Sequence, residues 1–417
     1  MFANWVDPSG ALLGARYCQR LMKRALIGLG AVLLPALVLL GTLTPGTTSD
    51  SGAWHLRMDA ADSVRNVLFF VPLGAWTVFL GLRTKFGLLA CLIFSGSVEL
   101  AQMWVPGRFP APADVLANTA GASIGIGLVR SAPIWLASNP ATLRSLQWFC
   151  ATAAAFMLLA SAALFQVVSP GFPYHCDYRP GVAGMISWSG RVLGSSLGNL
   201  RVSNSGLLDP VRVDAELAAR SPLRLELVRG DRNEHDATIL MLAGREHDEV
   251  WLVAEGHDEI SLRLGSRAQQ LGFYGPMLRF DVLDQVAPGE RFVLGLQRVP
   301  AGVSLTLNDA VSLERVFTLG DGWRHFAGLE TDLRARTLPN AAWLALLLVP
   351  LGTVGRPGRR FALLLLPPLV GLLALPATGL VAPSPPSEWF GAALGIGAGF
   401  VLGAALRRFS TSSAAAA

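Results

Sequence analysis

The chain has 417 residues, 52% hydrophobic and only 15% charged, with 44 Gly against 2 Lys. Soluble domains carry about 25% charged residues, so this composition excludes an ordinary soluble enzyme and puts much of the chain in lipid. Residues 169–336 hold 18 basic and 22 acidic residues, a net of −4, while the remainder holds 16 and 7, a net of +9; no basic patch emerges, which excludes nucleic acid as a partner.

A helix needs about 20 mostly apolar residues to cross a bilayer, and eight stretches qualify, near 24–42, 66–82, 86–105, 114–129, 147–168, 338–354, 361–382 and 388–406. The first lacks the short apolar core and small-residue cleavage site of a signal peptide, so it is read as a retained span. Basic residues near span ends give the sidedness. Arg16, Arg20, Lys23 and Arg24 precede the first span, Arg83 and Lys85 separate the second and third, and Arg130 and Arg144 separate the fourth and fifth. Arg356, Arg359 and Arg360 follow the sixth, and Arg407 and Arg408 the eighth. If the chain weaves regularly, all five clusters share one side. The prediction is a bacterial inner (plasma) membrane protein with both termini in the cytoplasm and residues 169–336 outside.

The predicted fold is a polytopic α-helical membrane protein with an inserted all-β domain. A four-helix membrane unit covers 1–146 and a fifth span 147–168. An extracytoplasmic β-sandwich covers 169–336, three C-terminal spans 337–408, and a disordered tail 409–417. An internal repeat explains this layout. Val-Pro-Leu-Gly occurs at 71–74 and again at 349–352. The fourth span opens with Asp114 and carries Gly121 and Gly125, and the eighth opens with Glu388 and carries Gly395 and Gly399. Each acid follows a Pro-rich loop, PAPAD or PSPPSE. Either two parallel four-helix units are present, the last three spans being a degenerate copy of spans two to four, or Gly- and Pro-rich helices match by chance.

Ionisable residues inside lipid are costly and usually face a bundle interior or a water-filled cavity. Three pairs qualify: Asp62 with Asn66, Glu99 with Gln102, and Asp114 with Asn118, with Arg65 and Arg108 beside them. Spacings of three or four put each pair on one helix face, and all three fall at the outer ends of spans two, three and four. Glu99, about two turns from its span's end, is the deepest acid. These eight residues either form a ligand site in the outer leaflet or clamp the bundle through hydrogen bonds and an ion pair from Glu99 to Arg65 or Arg108. By the repeat, Asn118 corresponds to Ala392 and Arg108 to Ala382, a loss of polarity that favours a site in the first unit only.

The strings SVRNVLFFVPLG, ELAQ, PGR and DVLANTAGASIG, in that order, resemble the VanZ-like family of small bacterial membrane proteins over residues 20 to 130. The family often has a further acid between its Arg and the Asp-x-x-x-Asn element, whereas Phe109 to Ala113 carry no charge. The resemblance implies a cell-envelope setting, and the founding members are associated with teicoplanin resistance.

Between 222 and 318 the segments LRLELV, ATILML, EVWLVA, ISLRLG, LRFDVL, RFVLGL and VSLTLN alternate in period two between turn clusters, the pattern of an antiparallel sandwich. GHDEISLRLGSR followed by PGERFVLGLQRVPAGVSLTLNDA resembles the laminin-G or concanavalin A-like jelly roll, which implies glycan or protein binding. Three His-Asp dipeptides, at 235–236, 247–248 and 257–258, suit either a metal or polar hairpin turns; turns are preferred and no metal or cofactor is expected. Arg298, Asn308 and Asp309 suit a ligand at a loop rim or are exposed turn residues. Cys176 is the only cysteine of 169–336, so no disulfide forms there.

The first functional reading is a non-catalytic envelope protein that holds a lipid or lipid-linked headgroup and contacts glycan or an envelope protein through its outer domain. The second is an intramembrane enzyme using Glu99 or Asp114 as general acid or base, although no activated nucleophile is visible and no catalytic residue can be assigned. A transporter ranks last, because the polar set occupies only the outer half of the bundle.

Overall fold

The computed structural model describes residues 28, 30–40, 42–43, 60–106, 108, 110–136, 139–169, 171–182, 185–204, 206–233, 235–244, 249–275, 277–327, 336–356 and 358–414. The cluster Arg16 to Arg24 and the pair His247-Asp248 lie outside them. The chain divides into two compact units, residues 1–132 and 133–417.

The first unit holds α1 (Gly30–Leu40), α2 (Ala60–Phe79), α3 (Thr84–Gln102) and most of α4 (Pro112–Leu136). Glycine decides how α2 and α4 meet. A Cβ on Gly121 would strike the Val67 carbonyl, one on Gly125 the Val71 carbonyl, and one on Gly74 the backbone of Ala122. Only glycines at these positions let the two backbones approach so closely. Phe70, Leu73, Cys91 and Ala122 fill the space between helices, joined by Val38 of α1. The opposite faces present Leu68, Phe86, Leu89, Ile93 and Leu116 outward, an apolar surface that lipid would cover.

Among its described residues the second unit contains α5 (Pro140–Leu164), thirteen strands and the C-terminal helices. Strands β1 (Tyr174–Tyr178), β2 (Ile186–Ser187), β3 (Arg191–Leu197), β4 (Leu200–Val202) and β5 (Gly206–Leu208) precede helix α6 (Pro210–Ala218). Then come β6 (Leu223–Val228), β7 (Ala237–Ala243), β8 (Glu249–Gly256) and β9 (Glu259–Leu264), with α7 (Arg267–Gln270) before β10 (Met277–Asp281). The hairpins β11 (Arg291–Val299), β12 (Gly302–Leu307) and β13 (Val311–Val316) lead into the short helix α8 (Arg324–Ala327). They form two sheets, ordered β10-β9-β8-β7-β1-β5 with β2 beside β7, and β13-β12-β11-β6-β3-β4. Among the described residues all pairings are antiparallel except β2 with β7.

Each of the seven alternating segments is a strand. Period two survives in β6, where Leu223, Leu225 and Leu227 are buried between exposed Arg224 and Glu226. It fails in β7 and β8, buried on both faces, as central strands covered on two sides are. The sequence reading missed β1 to β5 and β13, of which β2, β4 and β5 are only two or three residues long. The core is continuous from the strands into α5, through Leu158, Ala162 and Phe165. The Cys176 thiol is buried within it and pushed up to about 12.

Helix α9 (Thr337–Val354) is followed by α10 (Arg359–Leu364) and α11 (Leu366–Ala374), broken where Pro367 and Pro368 interrupt one apolar run, and then by α12 (Pro386–Ala414). Pairing of α9 with α12 again rests on glycine: a Cβ on Gly395 would strike the Ala345 carbonyl, on Gly399 the Val349 carbonyl, and on Gly352 the Ile396 carbonyl. Helix α12 runs to Ala414, into the stretch expected to be a disordered tail, where residues 409–414 hold no Gly or Pro to stop it.

Among the described residues five helices are long and apolar enough to cross a membrane: Thr84–Gln102, Pro140–Leu164, Thr337–Val354, Arg359–Thr378 and Pro386–Arg407. Three of the eight expected spans fall outside that set: α1, which is described only over Gly30–Leu40, α2, which carries Asp62, Arg65 and Asn66, and α4, which carries Asp114, Asn118 and several glycines.

Candidate functional site

Chain direction alone brings three polar helix ends to one end of the first unit: the start of α2, the end of α3 and the start of α4. Asp62 and Asp114 lie in the first turns of their helices, where a carboxylate offsets unpaired N–H groups and the helix dipole. Arg65 pairs with Asp62 across one turn of α2. Both are partly exposed, so the pair contributes little to stability.

Glu99 sits one turn from the end of α3, not two, because the helix stops at Gln102 and Met103 caps it. It is 3% exposed, and its Oε2 accepts a 2.8 Å hydrogen bond from the Ala111 N–H ahead of α4. Asp114 lies within electrostatic reach of it. One turn deeper, Asn118 Nδ2 donates to Ser95 Oγ at 2.9 Å. Ser95 and Glu99 are four residues apart on α3, as Asp114 and Asn118 are on α4, so the two helices are joined by two rungs. The second rung is incomplete: Asn118 is 2% exposed and its Oδ1 has no hydrogen-bond partner. Turning the amide over would only exchange the open acceptor for an open donor.

Gln102, also buried, donates to the Thr42 carbonyl at 3.2 Å and ties α3 to the end of α1. Asn66 is buried on α2, and Arg108 is half-buried in the α3–α4 connection. Sequence reasoning did not place Ser95 in the polar set. Its four-residue spacing from Glu99, facing an Asp-x-x-x-Asn helix, was the available signal.

The second unit is not stripped of polarity, contrary to the expectation from Ala382 and Ala392. Glu388, in the first turn of α12, is fully buried. It accepts from Thr318 Oγ1, from the Gly320 N–H at 3.2 Å and from Asn340 Nδ2 at 3.1 Å. Asn340 also reaches Asp321 at 3.0 Å and accepts from Trp323 Nε1 at 2.8 Å. Asp321 pairs with Arg324 at 3.2 Å. This network joins α9 and α12 to the 3-10 turn Leu319–Trp323 that closes the strand region. Its sequence signal was an Asn and a Glu, each near the start of an otherwise apolar helix.

Of the His-Asp pairs, His257 and Asp258 form the two-residue turn between β8 and β9, both with positive φ. Asp258 pairs with the buried Arg229, which also reaches Glu255 at 3.2 Å. Asp236 pairs with Arg279 at 2.9 Å. These carboxylates serve arginines. The proposed rim of Arg298, Asn308 and Asp309 divides: Asn308 accepts from the Val293 N–H and Asp309 pairs with Arg224, at the end of the β11–β12 hairpin away from Arg298. The exposed Asp309 carboxyl is held below its usual range by the Arg224 guanidinium.

Residues 27–136 match the VanZ/LLP1 family model. The VanZ/LLP1 match begins just ahead of α1 and ends on the last residue of α4, so it takes in every member of the polar set and none of the strands. No curated protein and no solved structure gives a significant match to the chain.

Proposed function

We propose that this chain is a multi-pass envelope membrane protein whose VanZ-like unit holds a lipid or lipid-linked headgroup in the outer leaflet. The observation that carries the reading is Asn118, buried with one amide atom open beside the Glu99–Ala111 rung. A buried polar atom without a partner costs about 1–3 kcal/mol, and a hydroxyl of a glycerol or a lipid-linked sugar would remove that cost in either amide orientation. The exposed apolar faces of α3 and α4 give such a molecule's tail a place to lie. The founding members' link with teicoplanin resistance fits an envelope lipid as the ligand.

The test is capture of lipid by the full chain in detergent. Asn118→Ala and Asp114→Asn should release the bound molecule with the melting temperature nearly unchanged. If binding and stability fall together, the polar set is a clamp. An acid–base enzyme is the alternative, and the nearness of two carboxyl groups, Glu99 and Asp114, favours it. Glu99→Gln keeps hydrogen-bonding capacity but removes the titratable proton, so full function in that variant would exclude Glu99 from the chemistry.

We further read the chain as two parallel repeats. The support is the residue-for-residue recurrence of the glycine contacts: Gly74, Gly121 and Gly125 meet Ala122, Val67 and Val71, as Gly352, Gly395 and Gly399 meet Ile396, Ala345 and Val349. The two sheets share a buried core, which supports a concanavalin A-like sandwich that contacts glycan or an envelope protein. Basic side chains crown the ends away from the acids: Arg130 donates to the Leu82 carbonyl and Arg407 to the Thr353 carbonyl. That supports cytoplasmic termini and an outer sheet domain. A cysteine at exposed Gln285 should then react with an impermeant thiol reagent from outside and one at exposed Arg360 should not; the reverse pattern would overturn the arrangement.

A further inference from the structure

A cleft of about 240 Å³ opens in the second unit where three segments meet: the end of α5 at Phe165–Val167, the β11–β12 turn at Val299–Gly302, and the loop Thr378–Leu380. Its walls are braced by backbone hydrogen bonds, from Ala301 N–H to Gly379 at 2.8 Å, Phe317 N–H to Ala301 at 2.8 Å and Ala382 N–H to Phe317 at 2.7 Å. The cleft is therefore preformed. It is smaller than the roughly 300–1,000 Å³ of drug-sized sites, which suits one headgroup.

Two arginines line it, Arg298 from β11 and Arg220 from the residue after α6 and its cap. Among the described residues no carboxylate lines the cleft and neither guanidinium makes a hydrogen bond or ion pair. By contrast the half-buried Arg65 pairs with Asp62, and the buried Arg229 and Arg324 pair with Glu255 and Asp321. Burial first, and Arg220 beside it second, pull Arg298 below the usual arginine range, so the two cations repel each other where an anion would relieve both. Arg220 also holds a positive φ of 54°, at a position that favours Gly or Asn after a helix. Gln166 adds an amide at the same wall, with no hydrogen bond from its side chain among the described residues. The α5 C-terminus does not need the arginines: the carbonyls of Ala162 and Ala163 already accept from the Phe165 and Gln166 N–H groups.

Two candidate spans end at this cleft, Pro140–Leu164 and Arg359–Thr378. It therefore lies at headgroup depth whichever way the chain is oriented. Paired guanidinium forks match phosphate oxygens better than any other side chain does, and Phe165, Phe317 and Leu380 supply apolar flanks. We propose that this cleft binds a phosphate-bearing anion, supplied either by the headgroup of an anionic phospholipid or by a free phosphate compound. The site is separate from Asn118 and does not depend on the reading of the first unit.

The test uses the full chain in detergent and native mass spectrometry, with phosphatidylglycerol, phosphatidylcholine or inorganic phosphate as the probe. Phosphatidylglycerol should bind and phosphatidylcholine should not. Arg298→Gln should weaken binding roughly tenfold or more, the loss of a hydrogen-bonded charge pair. Arg220→Asn, at an exposed residue whose backbone asparagine tolerates, should do the same without affecting folding, and Asn118→Ala should leave the cleft's binding intact. Phosphatidylglycerol binding that inorganic phosphate cannot displace identifies a lipid; phosphate binding alone identifies a free compound. The proposal is overturned if phosphatidylcholine binds equally, if neither probe binds, or if binding survives both arginine variants.

Discussion

Helices α2 and α4 in the first unit and α9 and α12 in the second meet through the same glycine-to-carbonyl contacts, yet their polar residues are wired differently. In the first pair the acids stay near the helix ends, Asp62 satisfied by a neighbour on its own helix and Asp114 partly exposed, while Asn118 keeps an open atom. In the second, Glu388 and Asn340 stand near the same helix ends but are buried under the Leu319–Trp323 turn and spent on it. The comparison teaches that backbone packing and polar chemistry are separable in this architecture. Glycine sets the distance between helices, and whatever covers the polar end decides whether the polar groups become structure or remain available.

The largest expected effect follows from breaking the covered end. Glu388→Ala removes the acceptor of three buried donors and should cost about 3–5 kcal/mol, as removing one partner of a buried charged network does. Thermal unfolding of the full chain would show this as a large drop in melting temperature, and proteolysis between Thr318 and Arg336 should accelerate. Asp114→Ala at the equivalent place in the first unit should change both far less.

A pH dependence should also belong to the covered region. His325 lies between Phe165 and the Tyr274 carbonyl, and burial pulls its pKa down to about 4, against about 6.5 in an unfolded chain. Between those values the unfolded chain binds the proton and the folded one does not. The stability His325 contributes is therefore present above pH 6.5 and lost as pH falls toward 4, by up to about 3 kcal/mol. His325→Phe should flatten that part of the stability profile measured in denaturant.

The glycine contacts sharpen the shared half of the comparison. Gly125→Ala and Gly399→Ala each put a methyl group into a carbonyl and should cost about 1–3 kcal/mol. Gly127→Ala and Gly397→Ala meet open space and should be neutral or stabilising by up to about 1 kcal/mol. Equal effects at all four positions would mean that the close approach is not what holds the helices.

The smallest stability effect is expected at Asn118. Hydrogen bonds between helices in membranes average about 0.6 kcal/mol, so Asn118→Ala should barely move the melting temperature, and its consequence should appear in ligand capture.

Much of this was legible in the sequence for local reasons. A charge shift at 169 and 336 sets the strand-rich middle of the chain apart from its apolar segments, a property of composition. Period-two segments such as Leu223 to Val228 must be strands with one face inward, since no helix places alternate residues together. Gly121 and Gly125, like Gly395 and Gly399, stand at the four-residue spacing of small residues that close helix contacts use. What only the tertiary structure decided is which distant groups meet. Asn118 faces Ser95, Glu99 takes its hydrogen bond from Ala111, and Glu388 reaches Thr318 across 70 residues. Arg220 and Arg298 share a cleft although they stand on different elements. Periodicity reports which face of an element is buried, but says nothing of what that face is buried against. Hydrogen bonds and charge pairs depend on distances of about 3 Å, set only once glycine contacts and strand register have fixed the backbone.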